Sequence, residues 1–376
     1  MIISRTDTSH LGYWWWTVDR WLLGAVFLLI AIGTLLITAA SPAIADRLDL
    51  PPFYFVLRHV FYLVPTLVIM LGVSMLSPRN IRRLATVCFM AVLGMLILVP
   101  IMGQELNGAR RWISLGGFSL QPSEFIKPTF AVMAGWLFAC QHKDHEFPGY
   151  WLSCGLCALI ICLLLLQPDL GMTVVVTLVW AAQFFMAGLP LSVVAVLSVG
   201  LVTGLFVIYL TFPHVTSRID RFLDPSSGDN YQVQRSIQAF QNGGLFGTGP
   251  GQGEIKQVLP DAHADFIFAV SGEELGLILT IGLVALYGFI ILRGVIRIRQ
   301  SEDLFVMLGV GGLLVQFGGQ ALIHMGSSLQ LLPAKGMTLP FVSYGGSSLM
   351  ALGLGMGMIL GLTRQQIPSL QRQFNA

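Results

Sequence analysis

The sequence predicts an all-α polytopic membrane protein with both termini cytoplasmic and one long extracytoplasmic loop. Two observations carry this. Hydrophobic residues fill 55% of the 376 positions and charged residues only 11%, with a mean hydropathy of +0.76, whereas a soluble domain carries about a quarter of its residues charged. The apolar residues also gather into runs of roughly 17–25, the length that crosses a bilayer as a helix. A net charge of +2 gives no basic surface for nucleic acid, which is excluded as a partner.

The runs fall at 21–40, 54–76, 84–101, 123–141, 149–166, 172–189, 191–211, 266–292, 304–325 and 348–363, which makes ten helices in a single domain spanning 1–376. Residues 1–20 form a short N-terminal segment and 364–376 a tail. Trp14-Trp15-Trp16 beside Arg20 reads as an aromatic belt at the membrane interface. No small-residue cleavage site follows the first run, so it reads as a span and not a leader. Loops on the side of the termini carry eleven Lys and Arg, among them Arg79, Arg82, Arg83, Arg293, Arg297 and Arg299. The opposite loops carry eight, spread over far more chain. The positive side stays inside, which sends every unusual polar motif to the outer face of the cytoplasmic (inner) membrane.

Some features read as packing. Cys154 and Cys157 form a CxxC inside an apolar run with no second pair, and serve as small apolar filler. Gly353, Gly357 and Gly361 make a four-residue small stripe for close helix contact. Asp169 in Gln167-Pro-Asp-Leu-Gly171 caps the helix that follows.

The outer face holds the candidate chemistry. Between helices three and four, Arg110 and Arg111 beside Trp112 suit an anionic headgroup, because guanidinium matches phosphate oxygens in pairs. Pro122-Ser123 begins a helix, with Glu124 in its first turn. Lys127 lies a turn into the membrane and needs a partner such as Glu124. The long loop, 212–265, contains an amphipathic helix near 231–240 and a glycine run, 243–253, without the lysine of a phosphate loop. Those glycines let backbone approach a substrate closely or form a flexible turn. The loop ends in Asp261, His263 and Asp265, and the next helix buries Glu273 and Glu274. Acids at the mouth of a membrane helix are costly and therefore read as functional. The last outer loop, 332–348, is apolar and irregular, so it packs inside protein or lines a cavity that Lys335 and Ser343 would face.

Taken in order, Gly-Ala-Arg-Arg-Trp112, Gln-Pro-Ser-Glu124 with Lys127, Gln-Pro-Asp-Leu-Gly171, Pro260–Leu275 and Pro333–Ser348 resemble the SEDS family (shape, elongation, division and sporulation) across the whole membrane region. The wording around Lys335 is closer to the division branch than to the elongation branch. The resemblance implies an inverting glycosyltransferase that polymerises lipid II at the division septum. Its implied partners are a class B penicillin-binding protein, the septal transpeptidase, and other divisome membrane proteins. The family's catalytic aspartate falls on Asp265. Arg110, Arg111, Trp112, Lys127, Lys335 and Ser343 are then candidate substrate contacts, with Glu124, Asp261, His263, Glu273 and Glu274 in support. Asp261, Ala264 and His324 depart from the common family pattern. No metal ligands are assigned, although a divalent cation (Mg or Mn) at the pyrophosphate is compatible with these residues. An elongation-branch polymerase, a lipid II flippase and a scaffold without chemistry stay open as alternatives.

Overall fold

The computed structural model describes residues 9–106, 109–115, 118–188, 199–200, 203–204, 209–211, 216, 220, 231–333 and 336–365. The chain is predominantly helical, as its hydropathy predicts. In order come α1 (His10–Thr17), α2 (Arg20–Arg47), α3 (Tyr54–Ser74), α4 (Pro78–Met102), α5 (Pro122–Lys143), α6 (Gly149–Leu166), α7 (Leu170–Met186), α8 (Tyr231–Gly243), α9 (Ile267–Ile298), α10 (Leu304–Ser328) and α11 (Gly346–Leu362). Six of them, α2, α3, α4, α6, α9 and α10, are long and apolar enough to cross a membrane. α7 and α11 are shorter apolar helices, and α5 runs 22 residues with a buried charged pair. The expected span at 191–211 lies almost wholly outside the described residues, as do Lys335 and most of the loop before α8.

Helix starts follow local chemistry. Asp169 caps α7 by accepting from the Met172 N–H at 3.3 Å, and Pro122 opens α5 where its missing N–H costs nothing. The expected amphipathic segment near 231–240 forms α8. The all-α expectation needs one correction. Gln104–Leu106, Ala109–Leu115 and Phe118–Leu120 form a small antiparallel sheet, β1-β2-β3, at one end of the bundle. Arg110-Arg-Trp-Ile-Ser114 lacks the alternation that would have marked a strand.

The glycine stripe of α11 lies against α3. A Cβ at Gly353 would stand 2.7 Å from the Thr66 side chain, at Gly357 2.7 Å from the Met70 carbonyl, and at Gly361 2.6 Å from Ile81 of α4. α10 packs against α5, α7 and α9 and is largely buried.

The decisive irregularity is in α9, which is not one helix. Gly276 has φ +76° and breaks it. The Glu273 and Glu274 carbonyls, freed by the break, accept from the N–H groups of Thr248 and Gly249 at 2.9 and 3.1 Å. The freed Leu277 and Ile278 N–H groups donate to the Gly244 and Leu245 carbonyls at 2.9 and 3.3 Å. A short turn is thus spliced into the helix, meeting the requirement that backbone polar groups within a membrane protein be satisfied internally. Of the glycine run, Gly243, Gly247 and Gly253 are the positions that approach α9 closely. A Cβ on Gly247 (φ +82°) would stand 2.2 Å from the Glu274 carbonyl. Gly247→Ala is expected to destabilise the fold by more than about 3 kcal/mol, read as a large drop in thermal midpoint of the detergent-purified protein. An unchanged midpoint contradicts the splice.

Candidate active site

Asp265 closes a tight turn directly before α9. The Asp261 carbonyl accepts the N–H groups of both Ala264 and Asp265 at 2.9 Å. Asp261 itself is exposed and has φ +48°, so its contribution is the shape of the turn. The Asp265 carboxylate is half-buried and lies against Gly336, where an added Cβ would meet Oδ2 at 3.0 Å.

The segment facing it, residues 336–345, is the irregular apolar loop, and it re-enters the bundle as its hydropathy predicts. Tyr287 of α9 donates to the Pro340 carbonyl at 2.6 Å, and Gly33 of α2 sits directly on Phe341. Ser343 bonds Leu339 N–H at 2.7 Å and donates to the Ala264 carbonyl at 2.6 Å. Its hydroxyl, expected to face substrate, is instead a strut between the loop and the residue before Asp265. The Tyr344 N–H donates to the His263 carbonyl at 2.9 Å. The His263 ring lies 4.4 Å from Phe55 and 5.0 Å from Tyr344 between ring centroids. Burial there pushes its pKa down to about 4, against a smaller opposing pull from Asp261, so the imidazole is neutral at pH 7.

Behind the loop runs a buried polar ladder. Lys127 Nζ pairs with Glu124 Oε2 at 2.8 Å and donates to Gln320 Oε1 at 2.9 Å. The Glu124 contact is ionic without hydrogen-bond alignment, which leaves Oε2 with no donor. Gln320 Nε2 donates to the Thr338 carbonyl at 3.0 Å, and Thr338 Oγ1 meets Ser348 Oγ at 2.6 Å. His324 Nδ1 lies 2.6 Å from the Met337 carbonyl. Lys127 is 2% exposed, so it organises the loop from within and does not meet a substrate directly. The partner expected for it, Glu124, is the one present.

Arg110 and Arg111 separate, since adjacent residues of a strand point to opposite faces. Arg111 turns inward and donates to the Gln167 carbonyl at 3.0 Å and the Pro168 carbonyl at 2.6 Å. Next to it, burial raises the Asp169 pKa while the Arg111 charge opposes the rise. Arg110 points outward with a loose contact to Glu105 at 3.4 Å, its side chain 49% exposed. Trp112 is half-buried and pairs across the sheet with Gln104. Of the expected anion-binding pair, Arg110 is the more accessible, with only long contacts at 3.4 Å to Glu105 and to the Pro100 carbonyl.

Glu273 and Glu274 hold the α9 break. Glu273 accepts from the N–H groups of Glu254, Ile255 and Lys256 at 2.8, 2.7 and 3.1 Å and from Asn242 at 2.9 Å. Glu274 pairs with buried Lys256, which also donates to the Ala39 carbonyl at 3.0 Å. Arg47 caps the same loop through the carbonyls of Lys256 and Leu259. Lys256, Gln320 and Arg47 were not singled out in the sequence. A signal existed for Gln320, because Gln316, Gln320 and His324 recur every four residues on one face of an apolar helix. Among the described residues no three His, Cys, Asp or Glu side chains converge to hold a metal ion.

The family described as cell cycle protein, FtsW/RodA/SpoVE, matches residues 20–367, a span that contains every residue of the site described above. The chain belongs to this family. It is 44% identical over 364 residues to the probable peptidoglycan glycosyltransferase FtsW of Caulobacter vibrioides, covering 96% of this chain and 93% of that protein. Identity to the Coxiella burnetii protein of the same name is 38%, covering 92% and 96%. Among solved structures, a chain of a peptidoglycan synthase complex that coordinates polymerization and crosslinking superposes with TM-score 0.75 at 28% identity, covering 92% of this chain and 97% of that one. The rod shape determining protein RodA of Thermus thermophilus gives TM-score 0.69 at 28% identity, covering 94% and 99%. The broken helix, the re-entrant loop and the ladder thus sit within a fold that this chain shares with the Thermus thermophilus protein.

Two outcomes follow from the site's electrostatics. Lys127→Ala strands Glu124 in the interior and is expected to cost about 3–5 kcal/mol of stability. Lys127→Met combined with Glu124→Gln recovers most of it in thermal unfolding, because no charge remains unpaired. For His263, with a pKa near 4 in the fold against 6.5 ordinarily, the unfolded chain binds the proton more tightly. Its contribution is complete above pH 6.5 and is lost as pH falls toward 4, by up to roughly 1.4 kcal/mol per pH unit. His263→Phe, which keeps the ring packing, should flatten the fall in thermal midpoint between pH 7 and pH 5.

Proposed function

We propose that this chain is an inverting peptidoglycan glycosyltransferase that polymerises lipid II on the outer face of the cytoplasmic membrane during septal wall synthesis. The observation that carries the reading is one carboxylate, Asp265, half-exposed at the mouth of α9 and backed by a loop bonded to the two residues before it. The family supplies the reaction class, since its relatives are named peptidoglycan glycosyltransferases.

In this scheme the 4-hydroxyl of the acceptor sugar attacks the anomeric carbon of the donor. Asp265 takes the hydroxyl proton as general base, a role worth on the order of 10²–10⁴-fold. The bond to the polyprenyl pyrophosphate breaks as the new glycosidic bond forms. An α-linked donor gives a β-linked product by direct inversion, so the carboxylate stays free of covalent attachment. Arg110 supplies positive charge to the leaving pyrophosphate, together with Lys335 from the last outer loop. Arg111 and Lys127 act indirectly, by fixing the Gln167–Asp169 turn and the 336–345 loop. A divalent cation such as Mg or Mn would neutralise leaving-group charge; with Asp265 committed to the attacking hydroxyl, it would be held mainly by pyrophosphate oxygens and water, in keeping with that ion's use of few protein carboxylates.

The scheme includes ten spans, both termini in the cytoplasm, the 212–265 loop outside, and a class B penicillin-binding protein as transpeptidase partner at the septum. The positive-inside count supports that orientation. A broken membrane helix with two acids also occurs in transporters. Here, however, four donors surround Glu273 and Lys256 pairs with Glu274, which favours a structural use over an ion path.

Purified Asp265→Asn protein supplied with lipid II and the partner transpeptidase is expected to form no glycan strands while keeping the wild-type thermal midpoint. Wild-type polymerisation by that variant sinks the assignment. Translocation of labelled lipid II across vesicles, without polymer, would favour a flippase instead.

A further inference from the structure

We propose that His324 is a positioning residue for Asp265, acting through the backbone of Met337 and Gly336; this rests on reading Asp265 as the general base. His324 is 1% exposed on α10. Its Nδ1 lies 2.6 Å from the Met337 carbonyl, and a carbonyl only accepts, so Nδ1 carries the proton. That fixes the tautomer and leaves Nε2 as a buried acceptor with no partner. A buried acceptor left without a donor carries a desolvation cost. The ring therefore gives up one hydrogen bond to make the other.

One turn earlier on the same face, Gln320 donates to the next carbonyl, that of Thr338, at 3.0 Å. Residues four apart on a helix stack along one side, so α10 grips two successive carbonyls of an otherwise irregular strand. The residue just before the gripped pair is Gly336, where an added Cβ would stand 3.0 Å from Asp265 Oδ2. A slide of this strand by a few tenths of an ångström moves the wall against which Asp265 rests. Gln320 cannot set the position alone, because its amide is also drawn toward Lys127 by the 2.9 Å bond to Oε1. His324 bonds the carbonyl nearest Gly336 and has no second ligand to satisfy.

The test uses a matched pair of substitutions. Asparagine places an N–H donor on Cγ, two bonds from Cβ, where histidine carries Nδ1. Leucine has the same branched shape with methyl groups and no donor. In lipid II polymerisation by the full chain, His324→Leu is expected to lower kcat on the order of 10- to 10²-fold, with little change in KM, as misplacement of a reacting group does. His324→Asn should restore kcat to within a few-fold of wild type. A purely structural role predicts instead that both variants lose activity in proportion to lost thermal stability.

Should the leucine protein fail to fold, His324→Ala is compared with His324→Asn at equal amounts of folded protein. Equal kcat for the donor and donor-free variants overturns the proposal. Asp265→Asn in the same assay separates the two claims. If it is inactive while His324→Leu matches wild type, only the positioning role falls. If it polymerises normally, the base assignment falls and the positioning role with it.

Discussion

The structure depends on a rule that apolar surroundings impose: a backbone N–H or C=O inside a membrane protein must find a partner within the protein. α9 breaks that rule at Gly276, and nearly everything at the site follows from the repair. The helix leaves two carbonyls and two N–H groups open, and the turn at residues 244–249 supplies matching groups. Glycine is required at the points of contact, since Gly243 would otherwise meet the Gly272 carbonyl at 2.0 Å and Gly276 the Gly247 nitrogen at 2.2 Å. The splice fixes the start of the segment that ends at Asp265. Glu273 and the Lys256–Glu274 pair then fix its middle, from the turn of α9 just before the break.

The second fixture is the re-entrant loop 336–345, and it obeys the same rule by different means. It has no helix or strand to satisfy its backbone, so side chains do so: Gln320 and His324 from α10, Tyr287 from α9 and Ser343 from the loop itself. This explains why α10 keeps polar residues at four-residue steps while the rest of it is apolar. It also explains the cost of burying Lys127 and Glu124. A pair this deep adds little net stability over an apolar pair of equal volume. The ammonium orients the Gln320 amide, however, so that its N–H groups, and not its oxygen, point at the loop.

Much of this was legible in the residues. Apolar run lengths located the apolar helices among the described residues, with ends displaced by up to seven positions at α2 and six at α4 and α9, and a membrane helix leaves few alternatives for a run of that length. The Lys127–Glu124 pair followed from the cost of a lone charge, and the Asp169 cap from local hydrogen bonding. The misreadings have physical causes too. Arg110 and Arg111 were treated as one basic patch because a loop imposes no direction on neighbours, whereas the strand they form sends them to opposite faces. The glycine run advertised close approach without naming what approaches, and the answer lies on a helix thirty positions along the chain. Ser343 was taken as exposed because nothing local reveals that Ala264 offers it a carbonyl. Long-range backbone partners of this kind leave no periodic trace in sequence.

The same bookkeeping of donors separates the carboxylates near α9 into structural and chemical groups. Glu273 is fully buried with four N–H donors within 3.1 Å, a cage that leaves its oxygens no room for a substrate proton. Glu274 is closed by the Lys256 ammonium, and Glu124 by that of Lys127. Asp169 spends one oxygen on a helix cap. Asp265 differs in kind. It is half-exposed, it ends a turn at the mouth of a helix, and its neighbour is a glycine that presents no side chain. A general base needs an oxygen reachable by the proton it removes and surroundings stiff enough to hold that oxygen in line. The buried acids meet the second condition by giving up the first. Asp265 is the one of these acids that keeps its carboxylate half-exposed, while the backbone beside it is held elsewhere, by Ser343 and the α9 splice.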